Sequence, residues 1–136
     1  MEENKELKEK VLAYRILEVR LDALLKNRDS MVAKLNEIEN TIKSIDEIKK
    51  SEEFLFPIGS DAYVFGNVTD KTKVVIEMGA GIAFEKSFDS AVEILKKKKS
   101  ELEKLINDVQ NEITRTSSMI EQLALDIQEA VKKSSK

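Results

Sequence analysis

The chain has no cysteine and no histidine among its 136 residues. Without cysteine there is no disulfide framework and no thiol nucleophile. Without histidine, zinc sites of the Cys/His type and histidine-based acid–base relays are excluded. Glycine and proline are scarce, at four and one. No window approaches the ~18 consecutive apolar residues that a membrane span needs. The opening Met1-Glu2-Glu3-Asn4-Lys5 has no apolar stretch of signal-peptide type. A soluble, cytoplasmic protein is the expectation. An excess of charge of one sign is missing too: 23 Lys and Arg against 26 Asp and Glu leave a net charge of −3. A dedicated nucleic-acid binder would carry a basic excess, so neither nucleic acid nor membrane is expected as a partner. The hydrophobic fraction of 41% is high enough for burial and argues against general disorder.

What is present is segregated. All four glycines and the proline lie between residues 57 and 81, and six of the seven aromatics lie between 54 and 88. Residues 1–53 and 86–136 hold 24 and 19 charges, which leaves 6 for residues 54–85. The chain therefore divides into an arm (1–53), a centre (54–85) and a second arm (86–136).

The first arm carries a heptad repeat. One line is Leu7, Tyr14, Leu21, Arg28, Leu35 and Ile42, and the other is Leu17, Leu24, Met31, Ile38 and Ile45. Two apolar positions in seven make a narrow stripe that must pack on another helix. Arg28 interrupts the stripe; it is expected to snorkel toward solvent, with the disfavouring of other registers as the alternative. The second arm repeats likewise, with Leu102, Val109, Thr116 and Leu123 on one line and Ile106, Ile113, Ile120 and Ile127 on the other. At 1.5 Å per residue each helix would be ~75 Å long. Two equal arms around a turn-rich centre predict an antiparallel coiled-coil pair.

The centre reads as strands. Phe54-Leu55-Phe56-Pro57-Ile58, Ala62 to Val68, Lys73 to Met78 and Ile82 to Glu85 are apolar, aromatic or β-branched runs. Thr69-Asp70-Lys71-Thr72 and Gly79-Ala80-Gly81 separate them as turns. Two hairpins alone bury little and leave sheet edges open. Oligomerisation through the centre is thus a physical expectation. The fold class is α+β, with a long antiparallel two-helix coiled coil and two central β-hairpins.

Several motifs carry no chemistry on inspection. Gly79-Ala80-Gly81 lacks the third glycine of a phosphate loop and precedes a strand, so it reads as a turn. Lys96 to Lys99 point in four directions on a helix and are flanked by Glu93, Glu101 and Glu103. The arm carboxylates lie in charged helical patterns, and Ser117-Ser118 has no base to activate it. No catalytic residue, metal site or cofactor is expected, and the chain is read as not an enzyme.

Residues 54–95, FLFPIGSDAYVFGNVTDKTKVVIEMGAGIAFEKSFDSAVEIL, resemble the centre of α-type prefoldin subunits. The matching elements come in order: a strand ending Pro57-Ile58-Gly59, an aromatic strand around Tyr63-Val64, the Thr69 to Val74 turn and strand, and Gly79-Ala80-Gly81 before Ile82-Ala83-Phe84-Glu85-Lys86. With the two heptad arms, the resemblance covers nearly the whole chain. It implies a hexamer in which hairpins of several subunits join into a β-barrel hub. On that reading Phe56, Ile58, Tyr63, Val64, Phe65, Val74, Ile76, Met78, Ile82 and Phe84 are hub residues. The implied partners are β-type prefoldin subunits or further copies of the chain, non-native polypeptides and a group II chaperonin. Phe65-Gly66-Asn67 and Ser60-Asp61-Ala62 depart from the family pattern in the hub strands. They point to an alternative, a self-assembling structural filament protein of the same family.

The resemblance also implies the activity, an ATP-independent holdase that grips clients at the coiled-coil tips and passes them to the chaperonin. Leu7, Val11, Tyr14 and Leu17 lie near the N-terminal tip, and Leu123, Ile127 and Val131 near the C-terminal one. Helix ends fray and expose such groups transiently. A patch of ~200 Å² is worth ~5 kcal/mol before entropy costs. Several weak patches on one client raise avidity by ~10²–10⁴.

Overall fold

A computed structural model describes residues 2–134. The element order is α1 (Glu2–Lys50), β1 (Phe54–Gly59), β2 (Ala62–Gly66), β3 (Lys73–Glu77), β4 (Ala83–Ser87) and α2 (Phe88–Ser134). Two long helices and two small antiparallel hairpins are the architecture expected above. Met1, Ser135 and Lys136, the outermost residues of the predicted arms, lie outside the described residues. Both helices run without glycine or proline, begin with acidic side chains (Glu2, Glu3; Asp89) and end with basic ones (Lys49, Lys50; Lys132, Lys133). That polarity suits the helix dipole.

The element ends differ slightly from the arm boundaries. α1 stops at Lys50, three residues before the expected 53. β4 runs on to Ser87, and α2 starts at Phe88 rather than 86. The cause is capping. The Ser90 N–H donates to Ser87 Oγ at 3.1 Å, and the Phe88 N–H donates to the Thr72 carbonyl at 3.3 Å. Two amides at the helix start, which have no intrahelical acceptor, are thereby satisfied.

The chain divides into two compact units, Met1–Ala33 with Glu103–Lys136, and Lys34–Leu102. In the first unit the helices run antiparallel. Arg20 pairs with Glu112 at 3.3 Å, and Ile113 and Thr116 are buried on α2. Arg28 snorkels as expected. Its guanidinium reaches Gln110 Oε1 at 3.4 Å and Asp29 at 3.3 Å, so the seam keeps only its methylene stem.

In the second unit the helices are again antiparallel, with Lys99 on Glu39 at 3.5 Å and Lys49 on Asp89 at 3.1 Å. Exposed pairs of this kind contribute only ~0–1 kcal/mol each. The core is Ile45, Phe88 and Ala91, joined by Ile48, Val74, Ile76, Val92 and Leu95. The hairpins form two separate two-stranded sheets, β1 with β2 and β3 with β4. Ser60 and Asp61 both have positive φ (48° and 61°) in the two-residue loop of the first hairpin. A tight hairpin turn demands that geometry, and non-glycine residues adopt it at some cost. Gly79-Ala80-Gly81 turns the second hairpin, also at positive φ throughout.

Candidate functional site

The side chains expected at the helix tips lie in the first unit. Leu7, Val11, Tyr14, Leu17, Leu123 and Ile127 are half-buried along the helix–helix seam, whereas Val131 is exposed. The structure brings Val11, Tyr14 and Ile127 together with Arg15, Glu18 and Ala124 around an open groove of 330 Å³. A second groove lies along α1 between Leu7, Lys8, Val11, Leu12 and Arg15.

The heptad reading missed a second apolar line on α1. Leu12 and Ile16 are each 59% exposed, and Val19 is 72% exposed. At 100° per residue the three fall within about 60° of one another and about 180° from the seam. The signal was present as i, i+4, i+7 spacing. It was hidden because the seam residues had already accounted for the helix's apolar face. α2 carries no equivalent line: its exposed apolar residues Leu105, Met119, Leu125 and Val131 scatter around the helix.

The hub candidates lie in the second unit, and the register sorts them by face. In β1–β2 the partners are Leu55 with Phe65, Phe56 with Val64, and Pro57 with Tyr63. Side chains alternate across a strand, so one face holds Phe54, Phe56 and Val64 and the other Leu55, Pro57, Tyr63 and Phe65. Both faces are apolar. Ile58 and Phe65 are the most exposed of these side chains, Phe65 at 76%. Phe56 lies over Gly66 so closely that a Cβ there would sit 2.8 Å from its ring. The glycine of the Phe65-Gly66-Asn67 departure therefore makes room for an aromatic ring.

The second hairpin has one apolar face. Val74, Ile76 and Phe84 share it with Lys86; Lys73, Val75, Glu77, Ala83, Glu85 and Ser87 share the other. Val74 and Ile76 pack on the chain's own helix core and are half-buried, while Met78, Ile82 and Phe84 remain exposed. The linker between the hairpins is tied to both helices. Lys71 donates to the Ser51 carbonyl, and the Thr72 carbonyl accepts from Phe88. The Thr72 hydroxyl and then its N–H donate to Asp70, with Lys73 nearby, and hold the Asp70 carboxyl below its usual value.

Among the described residues no three His, Cys, Asp or Glu side chains converge on a metal-sized site, and no helix is long and apolar enough to cross a membrane. The arrangement offers apolar surface for association.

The family model for prefoldin, described as prefoldin subunit, matches residues 17–133. A protein of Pyrococcus horikoshii named prefoldin subunit alpha is 28% identical over 136 residues, covering 97% of this chain and 92% of its own. Prefoldin subunit alpha 1 of Methanocaldococcus jannaschii is 30% identical over 128 residues, covering 94% and 89%. With prefoldin subunit alpha of Methanopyrus kandleri the identity is 35% over 85 residues, and the match spans about half of that relative, 54%. Among solved structures, filamentous PFD from Methanocaldococcus jannaschii, determined by cryo-electron microscopy, superposes with a TM-score of 0.69. That likeness covers 88% of this chain and 98% of the other at 21% identity, and it concerns the fold.

Proposed function

The chain belongs to the prefoldin family, and from that premise we propose that it is a chaperone subunit that holds non-native polypeptides without nucleotide. The observation that carries this reading is the open apolar groove of the first unit, where Val11, Tyr14 and Ile127 meet. A groove of this kind offers contact to exposed core side chains of an unfolded client without demanding a particular sequence. Each grip is weak, and several subunits acting on one client supply the affinity. The hairpins would build the assembly, with β-type subunits or further copies closing the open edges into a barrel hub. Release to a group II chaperonin completes the proposed cycle.

The test is aggregation of a chemically unfolded client, followed by light scattering, with and without the full chain and without ATP. Suppression near stoichiometric amounts is expected. Failure both alone and with a β-type subunit would remove the holdase reading. One observation favours a second reading, a self-assembling filament protein: the first hairpin exposes apolar side chains on both faces. Long particles in electron micrographs of the purified chain would support it, and a single small species in sedimentation would remove it.

A further inference from the structure

We propose that the outward face of α1, built on Leu12, Ile16 and Val19, docks apolar client segments that are flanked by carboxylates. The inference rests on the holdase reading and names the chemistry of the client at one surface. Three observations carry it.

The first is the geometry. Leu12, Ile16 and Val19 stand more than half exposed on the side of α1 that faces away from α2, so the seam does not explain them.

The second is charge. Lys8 and Arg15 flank the line on one side, Lys5 lies at its start, and none of the three forms an ion pair among the described residues. Glu9 is the carboxylate beside the line near its start. Farther along, Asp22 is neutralised by Lys26 at 2.9 Å, and Arg20 by Glu112. The rim is thus net basic, and it complements acidic side chains on either side of an apolar stretch.

The third is area. Three side chains at this exposure offer on the order of 300 Å². A stable interface with a second copy needs about 800 Å² a side. The line also ends after Ala23, since the next positions at this spacing are Lys26 and Ser30. That is two heptads, too few for a lasting coiled coil. A surface this small suits a short segment held transiently.

The experiment titrates the full chain into fluorescein-labelled peptides by anisotropy. One peptide has a Leu/Ile/Phe core with glutamates on both sides, a second has lysines there, and a third has neutral flanks. We expect the glutamate peptide to bind at least fivefold tighter than the lysine peptide at low salt, with the preference collapsing at 0.5 M salt. Leu12→Gln/Ile16→Gln/Val19→Gln should weaken all three about tenfold or more. Glutamine is a good helix former, so the variant keeps its helix, which circular dichroism checks. Lys8→Glu/Arg15→Glu should reverse the charge preference, so that the lysine peptide binds tighter than the glutamate peptide. Unchanged binding by the triple variant overturns the proposal, as does an unreversed preference. A shift in the sedimentation coefficient of the triple variant overturns it as well, because the face would then be covered by another copy. The light-scattering assay keeps the two readings apart. If wild type and triple variant suppress aggregation equally, the holdase reading stands and this inference fails. If neither suppresses it, the holdase reading fails, and the peptide titration still decides whether the face binds.

Discussion

The two hairpins have nearly the same length and the same antiparallel pairing, yet they bury opposite shares of themselves. β3–β4 lays Val74 and Ile76 on Ile45, Phe88 and Ala91 and turns Lys73, Glu77 and Glu85 outward. β1–β2 presents Phe56 and Val64 on one face and Leu55, Tyr63 and Phe65 on the other, with these side chains exposed. The helices of the first unit repeat the contrast. α2 has one apolar line at the seam, and α1 has a second line opposite it. A one-sided element rests much of its apolar face on its own chain. A two-sided element keeps a face that only another molecule can cover, which makes it the place to look for partners.

The sharpest way to break the comparison is to treat the outer faces of the two hairpins alike. Leu55→Ser/Phe65→Ser removes about 1.5–3 kcal/mol of burial per side chain in an assembly that covers that face. We expect sedimentation velocity to show a smaller species with helicity unchanged. Val75→Ser, an equally exposed position on the polar face of β3–β4, should leave assembly as it was. Equal behaviour of the two variants would dissolve the distinction between the hairpins.

The converse test concerns the stability of the single chain. Phe88 is buried under β3–β4, so Phe88→Ala should destabilise the fold by about 3–5 kcal/mol, read as a lower urea midpoint. Phe65→Ala, made under conditions where the chain is unassembled, should move that midpoint hardly at all, since Phe65 is 76% exposed. A large shift from Phe65→Ala would mean that the first hairpin is completed within its own chain.

The heptads and the segregation of glycine, proline and aromatics made the helices, the hairpins and the seam legible in the sequence. Local chemistry was harder to see: Ser87 caps α2 only because β4 delivers it there, and this moved the helix start by two residues. The two-sided elements were legible in principle. Phe54-Leu55-Phe56-Pro57-Ile58 has no polar alternation, and Leu12, Ile16 and Val19 repeat at helical spacing. Reading them required knowing which positions the chain itself already covers, and a periodicity template does not supply that. Which molecules cover the remaining faces depends on other chains and is not encoded in local pattern.

The smallest expected effect sharpens how the one-sided hairpin is tied down. The linker before β3 turns on Asp70, which accepts the Thr72 hydroxyl and the Thr72 N–H, and Thr72 in turn accepts the first amide of α2. These donors favour the carboxylate, so the folded Asp70 pKa lies below its ordinary value of 3.8. A depressed carboxyl pKa stabilises the fold above the unfolded value, and that contribution is lost as pH falls through 3.8 toward the folded value. Asp70→Asn keeps an acceptor oxygen and removes the titration. Wild type should therefore lose more thermal stability than Asp70→Asn between pH 5 and about pH 3, with the difference between them constant above that window. The β1–β2 hairpin has no equivalent clip in its turn, where Ser60 and Asp61 hold positive φ without such a ladder. If Asp70→Asn lost stability in step with wild type through that window, the Asp70 clip would not be what ties the second hairpin down at low pH.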